Sequence, residues 1–310
     1  MPFSRREFLV LSSGAAVYAV APWRAALGAQ APQASPPATA FETIRRNVGS
    51  FTGRGGTIGW MSNRDALIVI DTQFPDTAKV CLDGLRARAS RGPDIVFNTH
   101  HHGDHTAGNT VFKGVAKRIV AHARVPALQR QAAEGAQPPT VAEQVYADAT
   151  FEDTWSETFG DEQVTARHHG PGHTGGDAVI HFERAQVVHM GDLLFHERHP
   201  FVDRPAGASI QNWMKTLEIV LKQMPADTRY IAGHVRQGLP VVVQADALRK
   251  QRDYFDAVLA HVRKGMAAGS SKEEVTKLET LSRFEGYQAA PPRLTLASVL
   301  GVAYDELSAK

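Results

Sequence analysis

Residues 98–109 read Asn98-Thr-His-His-His-Gly-Asp-His-Thr-Ala-Gly-Asn109, directly after the apolar run Asp94-Ile-Val-Phe-Asn98. The run predicts a buried strand and the glycines predict a tight loop at its end. Alternate residues at a strand end point the same way. His100 and His102 can therefore chelate one ion while His101 faces elsewhere, and Asp104 and His105 follow within the same loop. Mixed imidazole and carboxylate donors suit zinc, with iron or manganese tolerated.

Working outward, three more strand ends deliver the same chemistry. Gly170-Pro-Gly-His-Thr-Gly-Gly-Asp177 places His173 between glycines, which lets the backbone approach a metal closely. His189-Met-Gly-Asp192 ends an apolar run with an acid, and Ile231-Ala-Gly-His234 ends another with a histidine. An unpaired charge or imidazole beside a buried strand is costly, so these groups call for a partner.

The order His-x-His-x-Asp-His, Gly-x-Gly-His-Thr, Gly-Asp and Gly-His resembles the metallo-β-lactamase superfamily, from about residue 41 to 235. The resemblance implies an α/β fold, a four-layer αβ/βα sandwich with the site at one edge of two sheets. It implies that His100, His102 and His173 hold a first metal, and that Asp104, His105 and His234 hold a second. Asp192 corresponds to the bridging carboxylate, and the centre implied is two zinc ions per chain. Two cations sharing a water lower its pKa towards about 7, so hydroxide attack on a substrate carbonyl is the expected reaction. In that chemistry Asp104 both binds metal and orients the nucleophile. A serine-triad mechanism has no support, because the chain carries no Gly-x-Ser-x-Gly elbow.

The motifs fix this chemistry better than the substrate. A small amide, lactone or ester is the first reading. A β-lactamase is the second. Cysteine-type β-lactamases carry Cys where this chain has Asp192, and a substrate-binding Lys where it has Phe195. A thioesterase is the third, since Thr99–His105 resembles the hydroxyacylglutathione hydrolases, although export would separate the chain from cytosolic glutathione. An iron-dependent sulfur dioxygenase is the alternative outside hydrolysis. The loop Leu193–Pro205 is expected to line the pocket, with His196, Arg198, His199 and Arg204 as candidates for binding a substrate carboxylate.

Of the 14 histidines, His122, His181 and His261 read as surface or packing residues. His101, His168, His169 and His189 flank ligands and are candidates for orienting them. Trp60, Trp155 and Trp213 read as core or rim, and the single cysteine, Cys81, as a buried thiol on a helix.

Ser4-Arg-Arg-Glu-Phe-Leu-Val10, the apolar run to Ala21 and the small residues near Ala26–Ala31 have the order of an export signal. The paired arginines resemble the twin-arginine type, which implies the twin-arginine machinery as a partner, a folded and metal-loaded cargo, and the periplasm as destination. Residues 1–29 are thus set apart as a cleaved signal and 30–40 as a Pro/Ala linker. Residues 41–310 form the domain, with a helical C-terminal extension from about 240. The apolar run is interrupted and short of the roughly 20 residues a span needs, so no stable membrane anchor is expected. Beyond residue 29 the chain holds 31 basic and 31 acidic side chains. A balance so near neutral points away from a large nucleic-acid or membrane-surface footprint, and the resemblance implies a small-molecule substrate.

Spacing predicts strands near 41–48, 56–61, 66–71, 94–98, 118–121, 150–159, 163–168, 177–182, 186–189 and 229–232. Helices are predicted at 75–88, 124–134, 210–223, 244–266, 272–282 and 294–307.

Overall fold

The computed structural model describes residues 38–309. The proposed signal and most of the proposed linker lie outside the described residues.

The first half of the domain builds one sheet of seven strands in sequential order. These are β1 (Ala40–Arg45), β2 (Val48–Thr52), β3 (Ile58–Ser62), β4 (Leu67–Ile70), β5 (Ile95–Asn98), β6 (Arg118–His122) and β7 (Ala149–Phe151). Helix α1 (Pro75–Ala89) connects β4 to β5. Two single-turn helices, α2 (Gly103–Thr106) and α3 (Asn109–Phe112), follow β5, and α4 (Val125–Gly135) follows β6. The second sheet contains β8 (Thr154–Phe159), β9 (Glu162–Arg167), β10 (Val179–Phe182) and β11 (Val187–His189). After β12 (Phe195–His196) and α5 (Ile210–Gln223) come β13 (Arg229–Ile231), β14 (His234–Val235) and β15 (Val242–Val243). The second sheet runs β15-β13-β11-β10-β9-β8, and β12 pairs only with β14. The chain ends in α6 (Ala245–Ala267), the short α7 (Lys272–Val275) and α8 (Leu296–Ser308).

The period of two along the strands sorts the core into three slabs. In β4, Leu67 and Val69 face α1, with Cys81, Leu82 and Leu85 opposite. Ile68 and Ile70 face inward and meet Ile180, Phe182 and Val187 of the second sheet. On that sheet's outer face, Val179, Val188 and Tyr230 meet Trp213 and Leu217 of α5, Tyr254 and Phe255 of α6, and Val299 of α8. Helix, sheet, sheet, helix is the four-layer arrangement expected. The C-terminal helices are part of its outer layer.

Three elements differ from expectation. Residues 41–48 are not one strand: the chain reverses at Arg46 and Asn47, both at positive φ (43° and 64°), so that β1 pairs antiparallel with β2. Paired positive φ angles match the right-handed twist of a hairpin, and Asn accepts the left-handed region readily. Residues 150–159 are two strands in different sheets, because the chain crosses between the sheets at Glu152-Asp153. The helix predicted over 272–282 stops at Val275. Its capping box (Ser271 with Glu274) starts it firmly. The chain then loops through Arg283, at φ 73°, to bury Leu281, Phe284 and Tyr287 against α6.

Candidate metal centre

The site forms where the carboxyl ends of β4, β5, β11 and β13 converge. Parallel pairing sets Ile70 against Phe97 and His189 against Ile231, so the loops after these strands emerge side by side. Two glycines make room: a Cβ on Gly56 would lie 2.1 Å from the His105 ring, and one on Gly233 would lie 2.2 Å from Asp192 Oδ1. Only a residue without a side chain allows those backbones to pass so close.

The seven expected residues come together in two groups. His100 Nε2 lies 3.1 Å from His102 Nδ1, which lies 2.9 Å from His173 Nε2. His234 Nε2 lies 3.1 Å from Asp104 Oδ2 and 3.4 Å from His105 Nε2. Asp192 stands between the groups: its Oδ2 is 3.5 Å from His173 Nε2 and 3.4 Å from His234 Nε2.

The far side of each ring decides what these contacts mean. His173 donates from Nδ1 to the Phe201 carbonyl (2.8 Å), and His102 donates from Nε2 to Asp203 (2.9 Å). Thr99 spends its hydroxyl proton on Asp71 Oδ2 (2.8 Å), so His100 Nδ1, 3.0 Å away, must be the donor to Thr99. A neutral imidazole carries one proton. Burial keeps His100 well below the ordinary imidazole range and pushes His173 down to about 3. The inward nitrogens of His100 and His173 are therefore bare lone pairs, and both face Nδ1 of His102, whose Nε2 proton is spent on Asp203. That contact is repulsive unless a cation occupies its centre. A tetrahedral ion with bonds of about 2.0–2.1 Å needs donors roughly 3.3 Å apart, near the spacings seen.

The second group points the same way electrostatically. Burial opposes charge on His234, but Asp192 and Asp104 outweigh it and hold the pKa up at about 9. Against the same burial cost, Asp192, Asp71 and Asp104 raise His105 well above its usual value. Asp192 Oδ1 is buried and accepts no hydrogen bond, although His105 Nε2 stands 2.9 Å away. A buried carboxylate costs stability unless positive charge meets it, and His105 and His234, both raised in pKa, or a bound cation supply that charge. The residues present fit a pair of metal ions.

Several orienting groups carry no metal-motif signature. Asp71 directly follows β4, at φ 61°, and accepts from Thr99 N (2.7 Å), Thr99 Oγ1 and His105 Nδ1 (2.7 Å). Its signal in the sequence was an acid closing an apolar run, the same signal that marked Asp192. Asp203 lies in the pocket loop, where only its basic neighbours were singled out. Asp177 accepts from the Gly172 and Thr174 amides and the Thr174 hydroxyl, cradling the loop that carries His173. Burial raises its pKa to about 7 against those donors.

His189 donates to the Thr57 carbonyl and accepts from Gly191 N, which fixes the turn bearing Asp192. His101 Nε2 lies 3.6 Å from Asp203. His168 donates to the Asp177 carbonyl and stacks on His122 at 3.9 Å, and the His169 carbonyl accepts from Asn212. His261 reaches the Val275 carbonyl, and His181 Nε2 is buried without a partner. Trp60 and Trp213 are buried and Trp155 packs on Phe97, while Cys81 is fully buried on α1 with its thiol pKa raised by burial.

A cavity of about 310 Å³ opens over the site, lined by His102, Asp104, Asp192, His234, Phe195, Phe201, Leu294, Arg198 and Arg293. Of the four substrate-binding candidates, only Arg198 reaches it. His196 sits against the Pro240 carbonyl, His199 is buried against the Tyr254 hydroxyl (2.8 Å), and Arg204 turns back to the Ala208 carbonyl. Arg293 and Leu294 come from the C-terminal extension, and no motif announced them.

Residues 51–234 match the metallo-beta-lactamase superfamily, and the chain belongs to that family. A hydroxyacylglutathione hydrolase of Methylococcus capsulatus is 30% identical over 166 residues, which cover 52% of this chain and 55% of that protein. The match thus spans about half the length of that relative. A metallo-beta-lactamase type 2 of Bacillus sp. is 22% identical over 200 residues, covering 63% of this chain and 73% of the other. Among solved structures, a metallo-beta-lactamase from Pontibacter korlensis superposes with TM-score 0.59 at 16% identity, over 71% of this chain and 99% of its own. The sec-alkylsulfatase Pisa1 from Pseudomonas sp. superposes at 0.66 and 16% identity, over 86% of this chain and 50% of that one. At these identities the structural likenesses speak for the fold alone.

Proposed function

We propose that this chain is an exported di-zinc hydrolase acting on a small amide, lactone or ester. The observation that carries the reading is the convergence of lone pairs from His100, His102 and His173, each ring's proton being held on its far side. These three residues would hold one ion, Asp104, His105 and His234 the other, and Asp192 both. Two bound zinc ions would supply a Lewis acid for the substrate carbonyl and a water acidified towards neutrality. Iron or manganese would also suit this donor set.

The protein's own groups do the rest. Asp104 is the one carboxylate of the cluster with substantial exposure (31%), and it orients the nucleophile at the cavity mouth. Its pKa is held below the usual carboxylate range, by His105 and His234 against burial, so it acts as an acceptor at neutral pH. Phe195, stacked on His234 at 5.3 Å, and Phe201 form apolar walls that limit water beside the reacting bond.

Zinc-loaded protein assayed on a panel of esters, lactones, β-lactams and thioesters should turn over at least one class. His102→Ala should abolish that turnover. Activity surviving in the variant would move the chemistry off the cluster. The likeness to a hydroxyacylglutathione hydrolase favours thioester cleavage as the second reading. Oxygen uptake without hydrolysis would point instead to an iron dioxygenase.

Export by the twin-arginine route to the periplasm rests on Arg5-Arg6 and the apolar run behind them. Among the described residues no helix is long and apolar enough to cross a membrane. Replacing both arginines with lysine should leave the protein in the cytoplasmic fraction, and unchanged export would refute the route.

A further inference from the structure

The cavity over the metal cluster has a strongly basic wall on one side. Arg198 and Arg293 both line it, and neither forms an ion pair with any carboxylate among the described residues. The Nε of Arg198 is buried and meets no acceptor. Their basic neighbours are treated differently: Arg236 and Lys250 both pair with Glu197. A buried guanidinium nitrogen is costly to leave without an acceptor, so the Arg198 Nε marks a place for an anion, and the exposed Arg293 brings a second unpaired guanidinium to the same cavity.

The wall is built rather than loosely draped. His199 N donates to the Gln288 carbonyl (3.0 Å) and Gln288 N to the Glu197 carbonyl (2.9 Å), which clamps the C-terminal segment beside Arg198. Ala290 and Leu294 then exchange backbone hydrogen bonds of 2.8 and 3.2 Å, fixing the turn that bears Arg293. The Arg293 guanidinium lies 5.6 Å from the Phe201 ring centroid, and that ring in turn lies 5.5 Å from the His102 ring. A group held by Arg293 would sit one aromatic ring away from the cluster. Phe195, Phe201 and Leu294 supply apolar surface between the two.

We propose that Arg198 and Arg293 form an oxyanion-binding wall, so that the substrate of this pocket carries a carboxylate or similar anionic group on a short apolar body. This rests on the hydrolase reading of the same site. Residues 288–294 lie outside the stretch that matches the superfamily, so the C-terminal extension completes the pocket and sets its specificity.

The test compares para-nitrophenyl hemiglutarate with para-nitrophenyl pentanoate, esters of equal acyl length with and without a terminal carboxylate. With zinc-loaded full-length protein the anionic ester should have the higher kcat/KM. Arg293→Gln, an exposed position, should lower kcat/KM for the anionic ester by about 10- to 100-fold, mainly through KM, and leave the neutral ester within about twofold. Arg198→Gln should act the same way. Equal effects on both esters, or a wild-type preference for the neutral one, would overturn the proposal. If neither ester is turned over, or turnover survives His102→Ala, binding decides. Calorimetric titration with phenylacetate and phenylacetamide should then show tighter binding of the acid, reduced at least about tenfold by Arg293→Gln. Equal affinities, or no effect of the substitution, would sink the wall as an anion site.

Discussion

Asp71 carries the most structural responsibility of any residue outside the expected ligand set. It is buried, holds a left-handed backbone, and accepts hydrogen bonds that orient both His105 and, through Thr99, His100. Asn tolerates the same backbone region but presents an amide where His105 needs an acceptor with full negative charge. Asp71→Asn should keep the fold and weaken metal binding by about 10- to 100-fold, read by competition with a chromophoric chelator. Unchanged affinity would show that His105 orients itself. The ligands were legible because metal chemistry restricts residue type and spacing within short motifs. Asp71 and Asp203 were not singled out, since an acid that holds a ring in place reads in sequence like any other acid.

Among the elements, the strands facing the second sheet and the long helices could be read directly from periodicity. What periodicity missed were breaks in direction, as at Arg46-Asn47 and Glu152-Asp153, where an apolar pattern continues while the chain turns or changes sheet. The two-residue pairing of β12 with β14 was equally invisible, yet it sets Phe195 against His234. Gly233 lies just before β14, where the chain passes Asp192 and the Gly191 carbonyl. Gly233→Ala forces a methyl group to 2.2 Å from Asp192 Oδ1 and 2.6 Å from the Gly191 oxygen, the latter in backbone that cannot swing aside. The expected result is a loss of about 1–3 kcal/mol in urea denaturation, with reduced metal content. A variant as stable and as metal-rich as the parent would contradict the packing described.

At the scale of the whole molecule, the helices after residue 240 close the outer face of the second sheet. Residues such as Tyr254, Phe255 and Val299 share one core with Trp213 and Tyr230. Truncation after Pro240 should therefore abolish cooperative unfolding, because that face would lose its cover. Acid should also weaken the fold. Burial, aided by His168 and Arg124, holds His122 at about 4, and burial alone holds His199 at about 4. Both lie below the usual imidazole value, so the unfolded chain binds more protons between about pH 6.5 and 4. Stability is then complete above that window and lost as pH falls through it. His122→Gln should flatten this slope by about 2 kcal/mol relative to the parent, followed as urea midpoints. An identical slope would place the acid sensitivity elsewhere. The layers were legible in the sequence because strand and helix periods differ. The pocket's second wall was not, since Arg293 and Arg198 come to one cavity only through tertiary folding.

The central claim is that one buried carboxylate, Asp192, joins two cation sites. Elemental analysis of the purified protein and of Asp192→Ala tests it most directly. Two divalent metal ions per chain in the parent, falling to one or fewer in the variant, is the result predicted. One ion per chain in both proteins would contradict it.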